Sequence, residues 1–198
     1  MGTRGMYGFR INGTDKCTYN QYDSYPEGLG RDITRFAAMV RPEAMKEFAS
    51  AIKLVDTETP PTDEQISKCK RYGYCDFGVS TQSETDWYCL TRKLQGDFAK
   101  MTESMLNEWD YYMPDNSEFI KDSLFCEYAY IINLDTGTLE FYQGFQREPQ
   151  EGNRFGEKPN EDGYYPCRLM CEFPLDDIGS LHDTVNEMIR ICAEDDED

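Results

Sequence analysis

The chain has 198 residues, 39% of them hydrophobic and 14% aromatic, with a formal net charge of -18. That aromatic content excludes a disordered acidic chain, and the length suits one domain burying roughly 70% of its unfolded surface. No stretch approaches the ~18 apolar residues of a membrane helix and no apolar run follows basic residues near the start, so the chain is expected to be cytoplasmic and off the membrane.

Tyr7, Phe9 and Ile11 alternate with Met6, Gly8 and Arg10, Asn12-Gly13 tolerates positive φ, and Cys17 to Asn20 resumes an extended pattern, which predicts an opening β-hairpin. Beyond Tyr25-Pro26-Glu27-Gly28, the residues Leu29, Ile33, Phe36, Ala37 and Val40 fall at helical spacing. Pro42 ends that helix and opens another, carried by Met45, Phe48, Ala49 and Ile52. Thr62 with Gln65 three residues on is a capping-box pattern for a short helix through Ile66 and Cys69 that stops near Gly73. Gly73 to Gln82 has no clear period. From Ser83 onward, Trp87, Leu90, Leu94, Phe98, Met101, Met105 and Trp109 step by three or four, the longest helical signal of the chain, with a break or kink expected at Gly96.

Cys126 to Leu134 and Thr138 to Phe145 flank Asp135-Thr136-Gly137 and predict a second hairpin, whose first strand is apolar on both faces and so central in a sheet. Residues 147–163, rich in Glu, Gly, Pro and Asn, read as a mobile acidic loop. Cys167, Leu169, Cys171 and Phe173 alternate with Arg168, Met170 and Glu172 as a last strand with its cysteines turned inward. Ser180 is placed to cap a final helix carried by Leu181, Val185, Met188 and Cys192, and Glu194 to Asp198 form a tail too charged to pack. Strands arriving in adjacent pairs predict an α+β fold. It is expected to be a single domain over residues 1–193, with a largely antiparallel sheet built from an N-terminal hairpin, a C-terminal hairpin and one more strand, helices packed on it, and an acidic tail at 194–198.

The charge is unevenly spread. Residues 1–100 carry 14 basic and 14 acidic side chains, whereas residues 101–198 carry 6 and 24. Fourteen of those 24 acids fall in 147–163 or from Asp176 onward, on segments outside the predicted strands. A field of this sign repels phosphates, so no direct nucleic-acid contact is expected, and Lys68, Lys70 and Arg71 are the one visible basic cluster.

His182 is the chain's one histidine, which excludes multi-histidine metal sites. Cys167-x3-Cys171 and Cys69-x5-Cys75 lack zinc-ligand spacing, and none of the acidic runs follows the calcium-loop pattern, so no metal is expected. Gly28-Leu29-Gly30 lacks the later glycine and lysine of a phosphate-binding loop, and no cofactor is expected. The eight cysteines, Cys17, Cys69, Cys75, Cys89, Cys126, Cys167, Cys171 and Cys192, are expected to be reduced thiols.

The most individual stretch is Met1-Gly2-Thr3-Arg4-Gly5 with Gly8-Phe9-Arg10, Asp15-Lys16, Thr18-Tyr19-Asn20 and Asp23 to Gly30. It resembles an uncharacterised family of small bacterial and phage proteins that begin Met-Gly-Thr-Arg-Gly, strongly over the first 30 residues and loosely beyond. The resemblance implies a phage or mobile-element setting, hence the host cytoplasm.

The first reading of function is an acidic binding protein whose partner presents a basic surface, such as a nucleic-acid-binding host enzyme inhibited by polyanion mimicry. Its binding residues are Glu148, Glu151, Glu157, Glu161, Asp162, Asp176 and Asp177. The second is an amide hydrolase of N-terminal-nucleophile type, with Thr3 as nucleophile and Arg4 or Asp23 in support; Arg4 is also placed to pair with Asp23. The third is a small-nucleotide binder that stacks its ligand on the tyrosine-rich hairpins.

Overall fold

In the computed structural model, which describes residues 2–79, 83–178 and 181–195, Asn12 and Gly13 both have positive φ, 52° and 74°. They join β1 (Gly5–Ile11) to β2 (Thr14–Asn20) as the sequence requires. A wide helical turn, Pro26–Gly30, runs directly into α1 (Arg31–Met39), and Pro42 at the first position of α2 (Pro42–Ala51) separates the two helices. After β3 (Lys53–Val55), the Thr62 hydroxyl and Gln65 side chain close their capping box on α3 (Asp63–Arg71). Then follow α4 (Trp87–Leu90), α5 (Phe98–Leu106), β4 (Tyr112–Pro114), β5 (Tyr128–Asn133), β6 (Thr138–Gln143), β7 (Arg168–Pro174) and α6 (Leu181–Asp195). Ser180, the expected cap of α6, lies outside the described residues, as do Gln82 and residues 196–198.

The five-stranded sheet has the order β2-β1-β5-β6-β7, antiparallel except where β1 lies parallel to β5 with Tyr7 opposite Tyr130 and Phe9 opposite Ile132. The expected α+β fold with a largely antiparallel sheet is therefore what forms. Asp135, in the second hairpin's turn, clips the two hairpin tips together by accepting the Asn12 and Gly13 amides at 2.7 and 2.8 Å. One sheet face, bearing Tyr7, Phe9, Tyr130, Ile132 and Phe141, packs under the helices. The other, bearing Met6, Cys17, Ala129, Ile131 and Tyr142, is covered by Phe119, Ile120 and Phe155. β5 is thus buried on both faces, as its apolar run predicts.

Three expectations are corrected and one is resolved. The helical run expected from Ser83 to Trp109, with a break or kink at Gly96, is broken there: Gly96 adopts φ 69°, and α4 and α5 each start afresh on a capping aspartate, Asp86 and Asp97. The last strand does not turn both cysteines inward, because a bulge opposite Phe141 and Tyr142 shifts the alternation; Cys167 is buried and Cys171 is half-exposed at the sheet edge. The acids of the expected tail begin inside α6, whose last turn includes Glu194, paired with Arg190 at 2.5 Å. Residues 147–163 are clasped to the sheet, as described below. The described cysteines are all free thiols.

Gly8 lies opposite Cys17, and a Cβ there would sit 2.1 Å from the Lys16 carbonyl oxygen, whereas one at Gly13 would meet nothing within 4 Å. Gly8→Ala is expected to cost about 3 kcal/mol, from forcing β1 and β2 apart. Gly13→Ala is expected to cost about 1 kcal/mol, from its left-handed backbone alone. Urea midpoints of the two variants check the order, and equal midpoints would show that the strands spread without loss.

Candidate functional site: a tyrosine-lined cavity

β2 is an edge strand of the sheet, and the segment 111–116 and the chain from α4 to Gly96 lap against it. Between them lies a cavity of about 200 Å³ lined by five tyrosines, Tyr7, Tyr19, Tyr88, Tyr111 and Tyr112, with Arg92 among its polar residues. Each arrives for a local reason. Strand alternation turns Tyr7 toward the helices. Gln95 donates to the Tyr19 carbonyl at 3.1 Å, and Asn116 accepts the Tyr19 amide at 3.1 Å, which ties both polar side chains to the β2 backbone. The Arg92 guanidinium stands 5.3 Å from the centre of the Tyr88 ring, within cation–π range.

The tyrosine hydroxyls differ in how they are satisfied. Tyr7 donates to the Leu94 carbonyl at 3.0 Å and accepts the Gly96 amide at 2.9 Å. Tyr112 reaches Asp110 at 3.4 Å, a long contact. Tyr111, 2% exposed, has a buried hydroxyl without a hydrogen-bond partner. The Tyr7 oxygen is near enough to affect its ionisation as an acceptor of the Tyr111 proton, although the two hydroxyls fall outside strict hydrogen-bond geometry. Burial pushes Tyr7 and Tyr112 up to about 12 and Tyr111 well above the ordinary phenol value, so all three stay neutral at physiological pH. Tyr7, Tyr111 and Tyr112 form its buried wall, and the surface it presents comes chiefly from the exposed Tyr88 ring, the half-buried Tyr19 and Arg92. Among the described residues, no carboxylate, thiol or imidazole lines it, and no group of three or more His, Cys, Asp or Glu is placed to hold a metal.

The residues nominated from sequence lie elsewhere. Arg4 does not pair with Asp23; its amide donates to Glu127 at 2.9 Å and its guanidinium lies over the Phe125 ring at 4.6 Å. Strand pairing carries Arg4 along β5, whereas Asp23 is exposed in a left-handed turn whose carbonyl accepts the Leu29 amide. The Thr3 carbonyl accepts the Ser24 amide at 3.2 Å. The seven nominated acids are all exposed, but in two places. Glu148, Glu151, Glu157, Glu161 and Asp162 lie on the segment over the Tyr142 face, while Asp176 and Asp177 follow Leu175, which packs in the core beneath the helices.

That first segment is a strap instead of a free loop. Arg154 reaches back to Glu140 at 2.7 Å, the Tyr142 hydroxyl at 2.6 Å and Asp15 at 3.0 Å. Asn153 donates to the Cys167 carbonyl, and Gln150 both donates to the Leu169 carbonyl and accepts its amide. Its polar composition, which suggests a loop, supplies the groups that bind it down. Tyr111, Arg92 and Gln95 were missed from sequence because a cavity assembled from four separate segments leaves no spacing; the one local signal was the density of tyrosines. The chain matches no family model, no curated protein and no solved structure.

Glu140 is 2% exposed and also bonded to Asn133 and Tyr142. Arg154→Ala would leave that carboxylate without its countercharge and is expected to cost about 3 kcal/mol. Arg147→Ala, which removes a surface stack on Tyr164, is expected to cost under about 1 kcal/mol. Denaturant titrations of both variants test this, and similar losses would mean that the buried pair does not anchor the strap.

Proposed function

We propose that the protein acts by binding, taking a small planar ligand into the tyrosine-lined cavity. The observation that carries this reading is the cavity itself, about 200 Å³ walled by five tyrosines and opening at Arg92 and the exposed Tyr88 ring. Thermal unfolding against a panel of planar aromatic compounds is expected to show a raised midpoint with at least one of them, and Tyr88→Ala is expected to abolish that rise while leaving the unliganded midpoint within the ordinary range for a surface change. No rise with any compound would remove the ground for this reading.

A second reading is favoured by the seven exposed acids, none of which forms an ion pair among the described residues. Their uncompensated charge suits a protein partner with a basic surface, of the kind a polyanion mimic would inhibit, and a phage setting accords with such a role. Complementary fields act mainly on the rate of encounter. Association with such a partner is expected to slow by at least about tenfold between about 50 and 500 mM salt. Stopped-flow measurement on the parent and on a variant with the five strap acids neutralised checks it, and a salt-independent rate would exclude it.

A further inference from the structure

Among the described residues, Arg92 is the one charged side chain that lines the cavity. Its guanidinium lies over the Tyr88 ring, 5.3 Å from the centroid, and donates to the Gln95 side-chain oxygen. It forms no ion pair among those residues. Asp23, Glu27, Asp32 and Asp76 line the cleft on its other side, but Asp32 pairs with Arg31 and Arg35 at 3.8 Å and none of the four comes within ion-pair distance of Arg92. Acids outnumber bases 38 to 20 in this chain, yet no carboxylate claims this guanidinium, so its charge is left to whatever enters the cavity.

We propose that the cavity takes a monoanionic aromatic acid, a single planar ring carrying one carboxylate, with the carboxylate on Arg92 and the ring against Tyr88 and Tyr19. The inference rests on the cavity reading above and adds the ligand's charge. A guanidinium presents a planar fork of donors that a carboxylate meets with two parallel hydrogen bonds, and it gives up its water more readily than an ammonium does. Gln95 takes one of the five Arg92 donors and leaves the fork available. Tyr88 is 40% exposed, and the half-buried Tyr19 is held edge-on against Phe119 at 5.2 Å, so both turn aromatic surface toward a ligand. The three groups sit together, because Arg92 and Tyr88 are both near enough to Tyr19 to bear on its ionisation, which burial raises.

Volume and charge limit the ligand further. A cavity of about 200 Å³ exceeds the ~150 Å³ void that holds a benzene ring and leaves room for one small substituent. One guanidinium compensates one negative charge, whereas a phosphate dianion would keep a second charge uncompensated beside the four acids of the cleft. The field of the whole chain acts in the opposite direction, since a net charge of -18 favours cations over the surface at large. A preference for an anion at this one place therefore comes from Arg92, and charge is the property that tests it.

Protein-observed NMR titrations of the full chain at about 150 mM salt, where fields reach about 8 Å, compare benzoate with its neutral isostere benzamide and its cationic isostere benzamidine. Benzoate is expected to bind at least about tenfold tighter than either, the worth of a charge-assisted hydrogen bond. Arg92→Gln is expected to bring benzoate down to the affinity of benzamide while benzamide itself binds as before, and that constancy shows the cavity intact. Arg92→Lys, which keeps the charge without the fork, is expected to fall between the two. Benzamide or benzamidine binding as tightly as benzoate overturns the anionic class and leaves the cavity reading standing, and so does a benzoate affinity that survives Arg92→Gln. Failure of all three compounds overturns both.

Discussion

The parallel pairing of β1 with β5 is the constraint on which the rest of the molecule depends. It joins residues 5–10 to 128–133, and without it the first hairpin would be a lone two-stranded ribbon, marginal in water, apart from the three strands β5, β6 and β7. Once joined, they form one sheet with two apolar faces, and the intervening chain has to lie across one of them. That crossing places Leu94, Gly96 and Tyr111 beside Tyr7. The clip from Asp135 to the Asn12-Gly13 amides fixes the register from the other end, so the hairpins meet with Tyr7 opposite Tyr130. A closure this distant in sequence is entropically expensive and makes sheet assembly the slow part of folding.

The buried tyrosines show how strictly the core accounts for its polar groups. Tyr74 pairs with Ser104 at 2.8 Å, Tyr130 donates to the Ser24 carbonyl at 3.0 Å, Tyr142 donates to Glu140 at 3.0 Å, and Tyr7 is bonded on both sides. In each case the ring fills core volume, and for Tyr7, Tyr74 and Tyr130 the hydroxyl also ties two distant segments together, so such a tyrosine serves both as packing and as a specific cross-link. Against that background the unpartnered Tyr111 hydroxyl stands apart. It packs its ring edge-on against Phe48 at 5.1 Å, so its aromatic part is as well used as the others. Its polar end is the exception among these tyrosines, as the Gln143 side-chain oxygen is among the buried amides.

What could be read from the sequence was what local chemistry determines. Both hairpins were legible because Asn12-Gly13 and Asp135-Thr136-Gly137 specify turns within a few residues, and α3 was legible because Thr62 and Gln65 cap it reciprocally. At Gly96 a break or a kink was legible but not which of the two, because apolar spacing from Trp87 to Trp109 survives a break when both halves face the same core; what decides it is the Gly96 amide finding Tyr7, a contact 89 residues away. β3 and β4, three residues each, are too short to show a period and exist because the chain on either side brings them together. The strap was misread because asparagine, glutamine and arginine signal solvent on average, whereas here they meet backbone groups at a sheet edge. The acids themselves were read correctly as exposed, but their division between two sides of the sheet depends on topology, which composition does not carry.

The same topology separates the two features that bear on function. Every residue lining the cavity comes from positions 7 to 116, in the part of the chain where charge is close to balanced, while the strap with its five acids covers the opposite face of the sheet. The strap's acids lie over the face bearing Tyr142, whereas Arg92 stands at the cavity itself. A net charge of -18 describes how the whole protein meets a macromolecule; it does not describe what a small ligand meets at the β2 edge. The sheet thus holds Tyr7 of the cavity wall on the face under the helices and the strap's five acids over the other.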